Sequence, residues 1–436
     1  MNSPAGAGLP PGAAGRVLGF WSLLTLGING IVGVGIFLAP GQLARAVPGP
    51  ASAWAFVITG VLLAPVAWTY GRLGSAYPQD GGPYVWARAA LGERFAFGVG
   101  FVAFASAVLS TAAVVSALGQ YLAPELGFGG AWSRWLFQVA AALLFSGVTL
   151  LGLRLSAGVW SALTVLKLVP LLVLAWAGAA QIFGSVPLGG GQGPALGLGS
   201  GLARAALLAV FPLQGFEIVP VPAGEARAGR RTVLAATLLS LGFAVALYVL
   251  LQLACVQALP RLAESSAPIV EAGTRYTHGV GRGLFAAGAN ISAVGIAFGM
   301  FAMTPRYLAA LGTDALLGAE LGRERGGVPV RALLVTTLAV LVLVSSSTLT
   351  GLFVLSSLAV LLQYAVSATA LFRLAKRGER GLGRLDQFLA PLTLLAIAAL
   401  AQAALAVELL ILAGILLGGL LLLRFRRALA SPHRAR

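Results

Sequence analysis

Two charged residues, Lys167 and Glu217, stand inside long apolar runs of the 436-residue sequence. A charged side chain at the middle of a bilayer costs about 3 kcal/mol or more, so such a residue is by default a candidate for function. The chain has 27 Arg and only two Lys. It uses Arg wherever any cation suffices, so Lys167, within the run from Ser161 to Pro170, points to a property that Arg lacks. An ammonium can release its proton in a desolvated site, whereas a guanidinium effectively cannot. Snorkelling or a structural pairing is the competing account of Lys167. Glu217 has three readings: proton sensing or orienting nearby backbone, accepting hydrogen bonds from amides freed by a helix break, or direct contact with a cationic ligand.

The runs nearest these charges are interrupted. From Gly27 to Phe37 the sequence reads Gly-Ile-Asn-Gly-Ile-Val-Gly-Val-Gly-Ile-Phe, with four glycines in nine residues. From Phe211 to Pro222 it carries Pro212, Pro220 and Pro222 around Gln214, Gly215 and Glu217. Glycine weakens a helix and proline removes a backbone donor. Close packing of small residues and simple kinking explain either stretch alone. Together they fall in the first and sixth apolar runs, corresponding places in a five-plus-five repeat, where inverted-repeat proteins build their ligand sites from discontinuous helices. Unwinding exposes N–H groups that attract an anion at the start of one half-helix, and C=O groups that attract a cation at the end of the other. A molecule carrying both a carboxylate and an ammonium fits that pair. Gly33 and Gly35, lacking Cβ, let backbone approach a carboxylate closely. Asn29, Gln214 and Asn290 are uncharged polar candidates nearby, with interhelical hydrogen bonding as their commoner role.

The elements that must hold these residues follow from composition. The chain is 58% hydrophobic and 10% charged, with a mean hydropathy of +0.92. That excludes intrinsic disorder and a water-soluble globule, and leaves an all-α polytopic membrane protein. Spans are expected near 17–39, 52–76, 95–122, 132–152, 156–183, 203–223, 232–259, 281–311, 330–346, 350–373, 386–404 and 407–424, about 12 in all. The last two form a hairpin turning near Gln402–Glu408, because 386–423 is too long for one crossing. With the N-terminus inside, 22 of the 29 basic residues fall in inside segments and six outside, which orients both termini to the cytoplasm. The net charge of +16 thereby ceases to suggest nucleic acid. Residues 1–15 are expected to be a disordered cytoplasmic tail, 16–373 a core of spans 1–10, and 374–436 two peripheral helices with a basic cytoplasmic C-terminus. A single cysteine, Cys255, excludes an intrachain disulfide and a cysteine zinc site. No HExxH, P-loop, intramembrane Asp pair or Ser/His pair is present, so neither an intramembrane enzyme nor use of ATP is favoured, and no cofactor or metal is expected. The eight Trp and eight Tyr are expected mostly at the membrane interfaces.

Four stretches in order resemble the amino acid–polyamine–organocation superfamily. They are Gly33 to Phe37; the loop Tyr77-Pro78-Gln79-Asp80-Gly81-Gly82-Pro83-Tyr84 with Arg88 and Leu91-Gly92; Gly215-Phe216-Glu217 with Ala223-Gly224-Glu225; and Pro305-Arg306-Tyr307 through Asp314 with Val328-Pro329. The resemblance implies a LeuT-like fold of two inverted five-helix repeats plus two peripheral helices, alternating access, and amino acids or related amines as substrates. It implies that Gly33, Val34 and Gly35 offer amides to a carboxylate, that Gly30 and Ile31 offer carbonyls to an ammonium, and that Phe211 gates the bound substrate, with Gln214 and Gly215 alongside. Lys167 matches a lysine that stands in some members where sodium-coupled relatives hold a sodium ion, so proton coupling through Lys167 and Glu217 is implied. Glu225 is expected to pair with Arg227 or Arg88 at an inner gate. Val34 departs from the common Ser or Ala, and the three prolines leave the register of the sixth break open. The expected activity is proton-coupled secondary transport of amino acids across the plasma (inner) membrane, with amino acid/amine exchange as the alternative.

Overall fold

The computed structural model describes residues 19–77, 82–152, 157–183, 198–220, 230–313 and 318–430. The described residues form helices and connecting turns, with no strand. In chain order they are α1 (Phe20–Ile31), α2 (Val34–Ala46), α3 (Trp54–Ala76), α4 (Pro83–Leu91), α5 (Glu93–Glu125), α6 (Ala131–Leu150), α7 (Ala157–Phe183), α8 (Leu198–Leu213), α9 (Arg230–Ala258), α10 (Pro268–Tyr276), α11 (Arg282–Thr313), α12 (Ala319–Gly322), α13 (Val330–Ser346), α14 (Leu349–Lys376), α15 (Arg384–Ala401) and α16 (Ala406–Ala430). Nine of these, among the described residues, are long and apolar enough to cross a membrane. α1 and α2 form a further pair, bent by 48° at a short break. α13 and the first part of α16 are shorter apolar helices. The protein is therefore an all-α polytopic membrane protein.

Within the described residues the expected spans overlap these helices, although α8 ends at Leu213, short of the expected 223, and residues 221–223 lie outside the described residues; two further differences stand out. The first span continues past residue 39 to Ala46, where Arg45 donates to the Ala263 carbonyl at 2.7 Å. Two short helices, α4 and α10, occupy segments that hydropathy leaves as loops. Each has nine residues and starts with proline at its first position, where the missing N–H has no helical partner to lose. Gly82 and Gly92, at φ +45° and +86°, bound α4.

The packing pairs come in matched sets. α3 packs on α8 as α9 packs on α1; α5 packs on α14 as α11 packs on α7; α5 packs on α13 as α11 packs on α6. The short helices follow the same rule: α4 lies on α5 and α14, and α10 lies on α11 and α7.

The last two helices are tied to the core by buried ion pairs. Arg72 near the end of α3 donates from Nε and Nη2 to the two oxygens of Asp386 at 2.8 and 2.7 Å, and Asp386 is only 2% exposed. Trp68 Nε1 and the Gly383 amide complete the shell of that carboxylate at 3.0 and 2.9 Å. At the other end of the bundle, Arg204 on α8 donates to Glu408 on α16 at 2.7 Å and to the Ala403 carbonyl at 3.2 Å. Glu408 also accepts from the Leu405 amide, which fixes the turn between α15 and α16 at residues 402–405.

Candidate functional site

The first break falls at Val32 and Gly33. α1 ends at Ile31 and α2 begins at Val34 with Gly33 as an N-cap that offers no side-chain acceptor. The amides of the first turn of α2 therefore lack intrahelical partners, and the helix dipole adds positive character there. Residues 31–40 are all buried. The last carbonyls of α1 are the opposite pole. Ile28 accepts from the Val32 amide at 2.8 Å, and Ile31 accepts from the Tyr248 hydroxyl of α9 at 3.0 Å. Asn29 accepts from Lys167 Nζ at 2.9 Å. Lys167, only 4% exposed, thus spans from α7 to the end of the broken helix.

The second break falls at Gln214 and Gly215, between α8 and a tight turn over Phe216–Ile218. Glycine rather than proline sets its register. Gly215 has φ +118°, which a residue with Cβ adopts only under strain. Pro212 lies inside the last turn of α8, and Pro220 lies beyond the turn. Glu217 Oε2 accepts from the Gly215 amide at 2.8 Å and from the Tyr364 hydroxyl of α14 at 3.1 Å. Of its three readings, accepting a freed amide is the one visible in the geometry.

The two breaks lie against each other. A Cβ on Gly30 would come within 2.7 Å of the Gly215 carbonyl, and a Cβ on Gly215 within 2.7 Å of the Ile31 amide. A Cβ on Gly35 would lie 2.9 Å from Pro212 Cα and 3.2 Å from Phe211. Phe211 is 8% exposed and stacks on Phe353 of α14, with ring centroids 4.0 Å apart. Ile296 of α11 covers Gly33, and Ile218 covers Gly30. Gly30, Ile31, Gly33, Val34, Gly35, Phe211, Gln214, Gly215, Lys167 and Glu217 thus gather at one place. Arg88 does not join them: it pairs with Glu93 at 3.1 Å, and both are exposed. Glu225, and with it the expected pairing at the inner gate, lies outside the described residues. Asn290 donates to Glu125 at 2.6 Å, the interhelical role expected for it.

Hydropathy missed the tyrosines. Tyr70, Tyr121, Tyr248 and Tyr364 are buried within helices rather than placed at interfaces. Tyr121 donates to the Phe37 carbonyl of α2. Below the second break, Tyr70, Trp86, Phe216 and Tyr364 form an edge-packed aromatic cluster, each 2% exposed or less. It brings the short helix α4 against α3 and α14. The signal was present in the sequence: a phenol inside an apolar run must find an acceptor, and unwound backbone supplies one. At the adjoining end of α3, Tyr77 donates to Glu379 at 2.8 Å beneath the Arg380 guanidinium. Burial, reinforced by that carboxylate, pushes the Tyr77 phenol up to about 12.

Residues 18–420 match the amino acid permease family. An uncharacterized transporter of Mycobacterium tuberculosis is 28% identical over 366 residues, covering 81% of this chain and 79% of its own. The human cationic amino acid transporter 4 is 27% identical over 254 residues, covering 54% of this chain and 40% of its own. The mouse cationic amino acid transporter 4 is 24% identical over 384 residues, covering 82% and 59%.

Proposed function

The chain belongs to the amino acid permease family, and on that premise we propose that it is a proton-coupled secondary transporter of amino acids or related amines, working by alternating access. The observation that carries the coupling is the bond from Lys167 Nζ to the Asn29 carbonyl. It places the one intramembrane lysine on the end of the broken helix, where a cation is favoured. A substrate carboxylate would dock on the amides of Val34 and Gly35, and its ammonium on the carbonyls of Gly30 and Ile31. A carbonyl has two acceptor sites, so Ile31 can keep Tyr248 while receiving a second donor. Proton loss or gain at Lys167 would change the charge beside that ammonium and bias which side of the bundle opens. Glu217, held by Gly215 and Tyr364, would fix the second break during that change.

The matched packing sets support twelve crossings arranged as five plus five with two peripheral helices, and the aromatic cluster below the second break supports a closed inner side. The charge asymmetry supports both termini on the cytoplasmic side of the proposed plasma (inner) membrane.

The test is uptake of a radiolabelled amino acid into proteoliposomes under an imposed proton gradient. The wild type should accumulate substrate and Lys167→Ala should not. Accumulation by Lys167→Ala equal to wild type would exclude Lys167 from coupling. Efflux that depends strictly on a counter-substrate, with no response to the gradient, would favour exchange instead.

A further inference from the structure

We propose that the end of the bundle where α14 meets α15 binds an anionic phospholipid, with Lys376 and Arg384 on the headgroup phosphate and Phe372 and Phe388 against the acyl chains.

Charge is the first argument. From Arg373 to Asp386 the chain carries five cations, Arg373, Lys376, Arg377, Arg380 and Arg384, against two acids, Glu379 and Asp386. Both acids are already engaged. Glu379 accepts from the Tyr77 hydroxyl at 2.8 Å and lies 3.5 Å from Arg377. Asp386 is closed by Arg72, Trp68 and Gly383. Arg380 lies over the Tyr77 ring and donates to the Ala76 carbonyl at 3.1 Å. Among the described residues, Arg373, Lys376 and Arg384 are exposed and meet no acid. Arg384 also stands against its local preference. It is the first residue of α15, where the helix dipole disfavours a cation. An anion there meets both the guanidinium and the positive end of the helix.

Position gives the second argument. Gln387 Nε2 donates to the Ala375 carbonyl at 3.0 Å, which joins the end of α14 to the start of α15 at the level of these cations. Phe372 and Lys376 stand four residues apart on α14, and Arg384 and Phe388 four apart on α15. Each cation therefore shares a helix face with an aromatic residue about 6 Å along the axis. Both phenylalanines are exposed, Phe388 by 68%. The same face of α15 continues with Leu392 and Leu395, exposed as well. A water-borne anion gains nothing from that apolar face. A phospholipid joins an anion to a hydrocarbon chain in one molecule and meets both. A zwitterionic headgroup brings a further cation to the cluster, so the anionic class is the one that fits.

The experiment is thermal unfolding of the purified full-length protein in detergent, with phosphatidylglycerol, phosphatidylcholine and water-soluble glycerol phosphate as probes. A bound lipid stabilises by mass action, and affinity is read from the concentration that gives half of the shift. Phosphatidylglycerol should bind about tenfold or more tightly than phosphatidylcholine. Lys376→Gln and Arg384→Gln should each weaken it about fivefold, and together about 25-fold. Arg261→Gln with Arg282→Gln removes the same charge at the opposite end of the bundle and should leave it unchanged. Equal affinity for the two lipids, or an unchanged affinity for phosphatidylglycerol in the Lys376→Gln/Arg384→Gln protein, would overturn the proposal. An equal loss in the Arg261→Gln/Arg282→Gln protein would reduce the effect to net charge and overturn it too. Stabilisation by glycerol phosphate at the concentrations that suffice for phosphatidylglycerol would assign the cluster to a soluble anion instead of a lipid.

Discussion

Gly215 concentrates the residue-scale physics of the site. Its φ of +118° and the Gly30 carbonyl pressed against it leave no room for Cβ. Gly215→Ala should therefore lose transport and lower the unfolding temperature, with backbone strain costing about 1–3 kcal/mol before any clash is counted. Gly242→Ala, in the middle of α9 with open space around the new methyl, should leave both unchanged. Equal behaviour of the two variants would mean that the second break is not held by Gly215. The same scale separates Lys167 from ordinary lysines. Among the described residues its ammonium is seen to meet a backbone carbonyl rather than a carboxylate.

At the scale of elements, the so-called peripheral helices are bound more firmly than that word suggests. Asp386 accepts from two nitrogens of Arg72, the Trp68 indole and the Gly383 amide, at the start of α15. Without the carboxylate the Arg72 guanidinium, 22% exposed, keeps its bond to the Gly381 carbonyl, so the loss is smaller than the about 3–5 kcal/mol of breaking a fully buried pair. Asp386→Ala should accordingly lower the stability of the purified protein by about 1.5–3 kcal/mol. The affinity of the protein that remains folded should not change, because among the described residues the pair bonds to Trp68, Gly381 and Gly383 and to no residue of either break. Stability and ligand affinity measured on one preparation would decide this, and a wild-type unfolding temperature would contradict the buried pair. The short helices α4 and α10 belong to this scale too. Nine residues give two and a half turns, too few for hydropathy or periodicity to separate a helix from a loop. Both are held instead by the crossings they lie on.

For the whole molecule, orientation is the testable quantity. The proposed even number of crossings would put both ends on one face, and the excess of basic residues between the apolar runs favours the cytoplasm for that face. Cys255 is buried, so a background of Cys255→Ser is free of native thiols. On it, single cysteines at Ser3 and Ser431 should react with a membrane-impermeant maleimide only after cells are opened. One at the exposed Ser266, between α9 and α10, should react in intact cells. Labelling of Ser431→Cys in intact cells would reverse the assignment of the C-terminus.

What the sequence determined by itself is what one dimension can encode. Apolar runs of about 20 residues must cross a bilayer because no soluble surface could cover them. Glycine and proline clusters mark where helices fail, so the two breaks, at Val32–Gly33 and Gln214–Gly215, were legible. Lys167 and Glu217 stood out because charge is costly in an apolar run. Tertiary structure decided which groups these meet. That Lys167 reaches Asn29, that Tyr364 holds Glu217, that Ile296 covers Gly33 and that Arg88 turns to Glu93 are contacts between segments up to 263 residues apart or, for Arg88, a choice between partners. The register of the second break was also a tertiary outcome. Three prolines offered several places to stop the helix, and the close approach of α1 selected the one glycine that could face its carbonyl. Hydropathy is a property of each segment, whereas hydrogen-bond satisfaction and close packing are properties of pairs, and only the fold chooses the pairs.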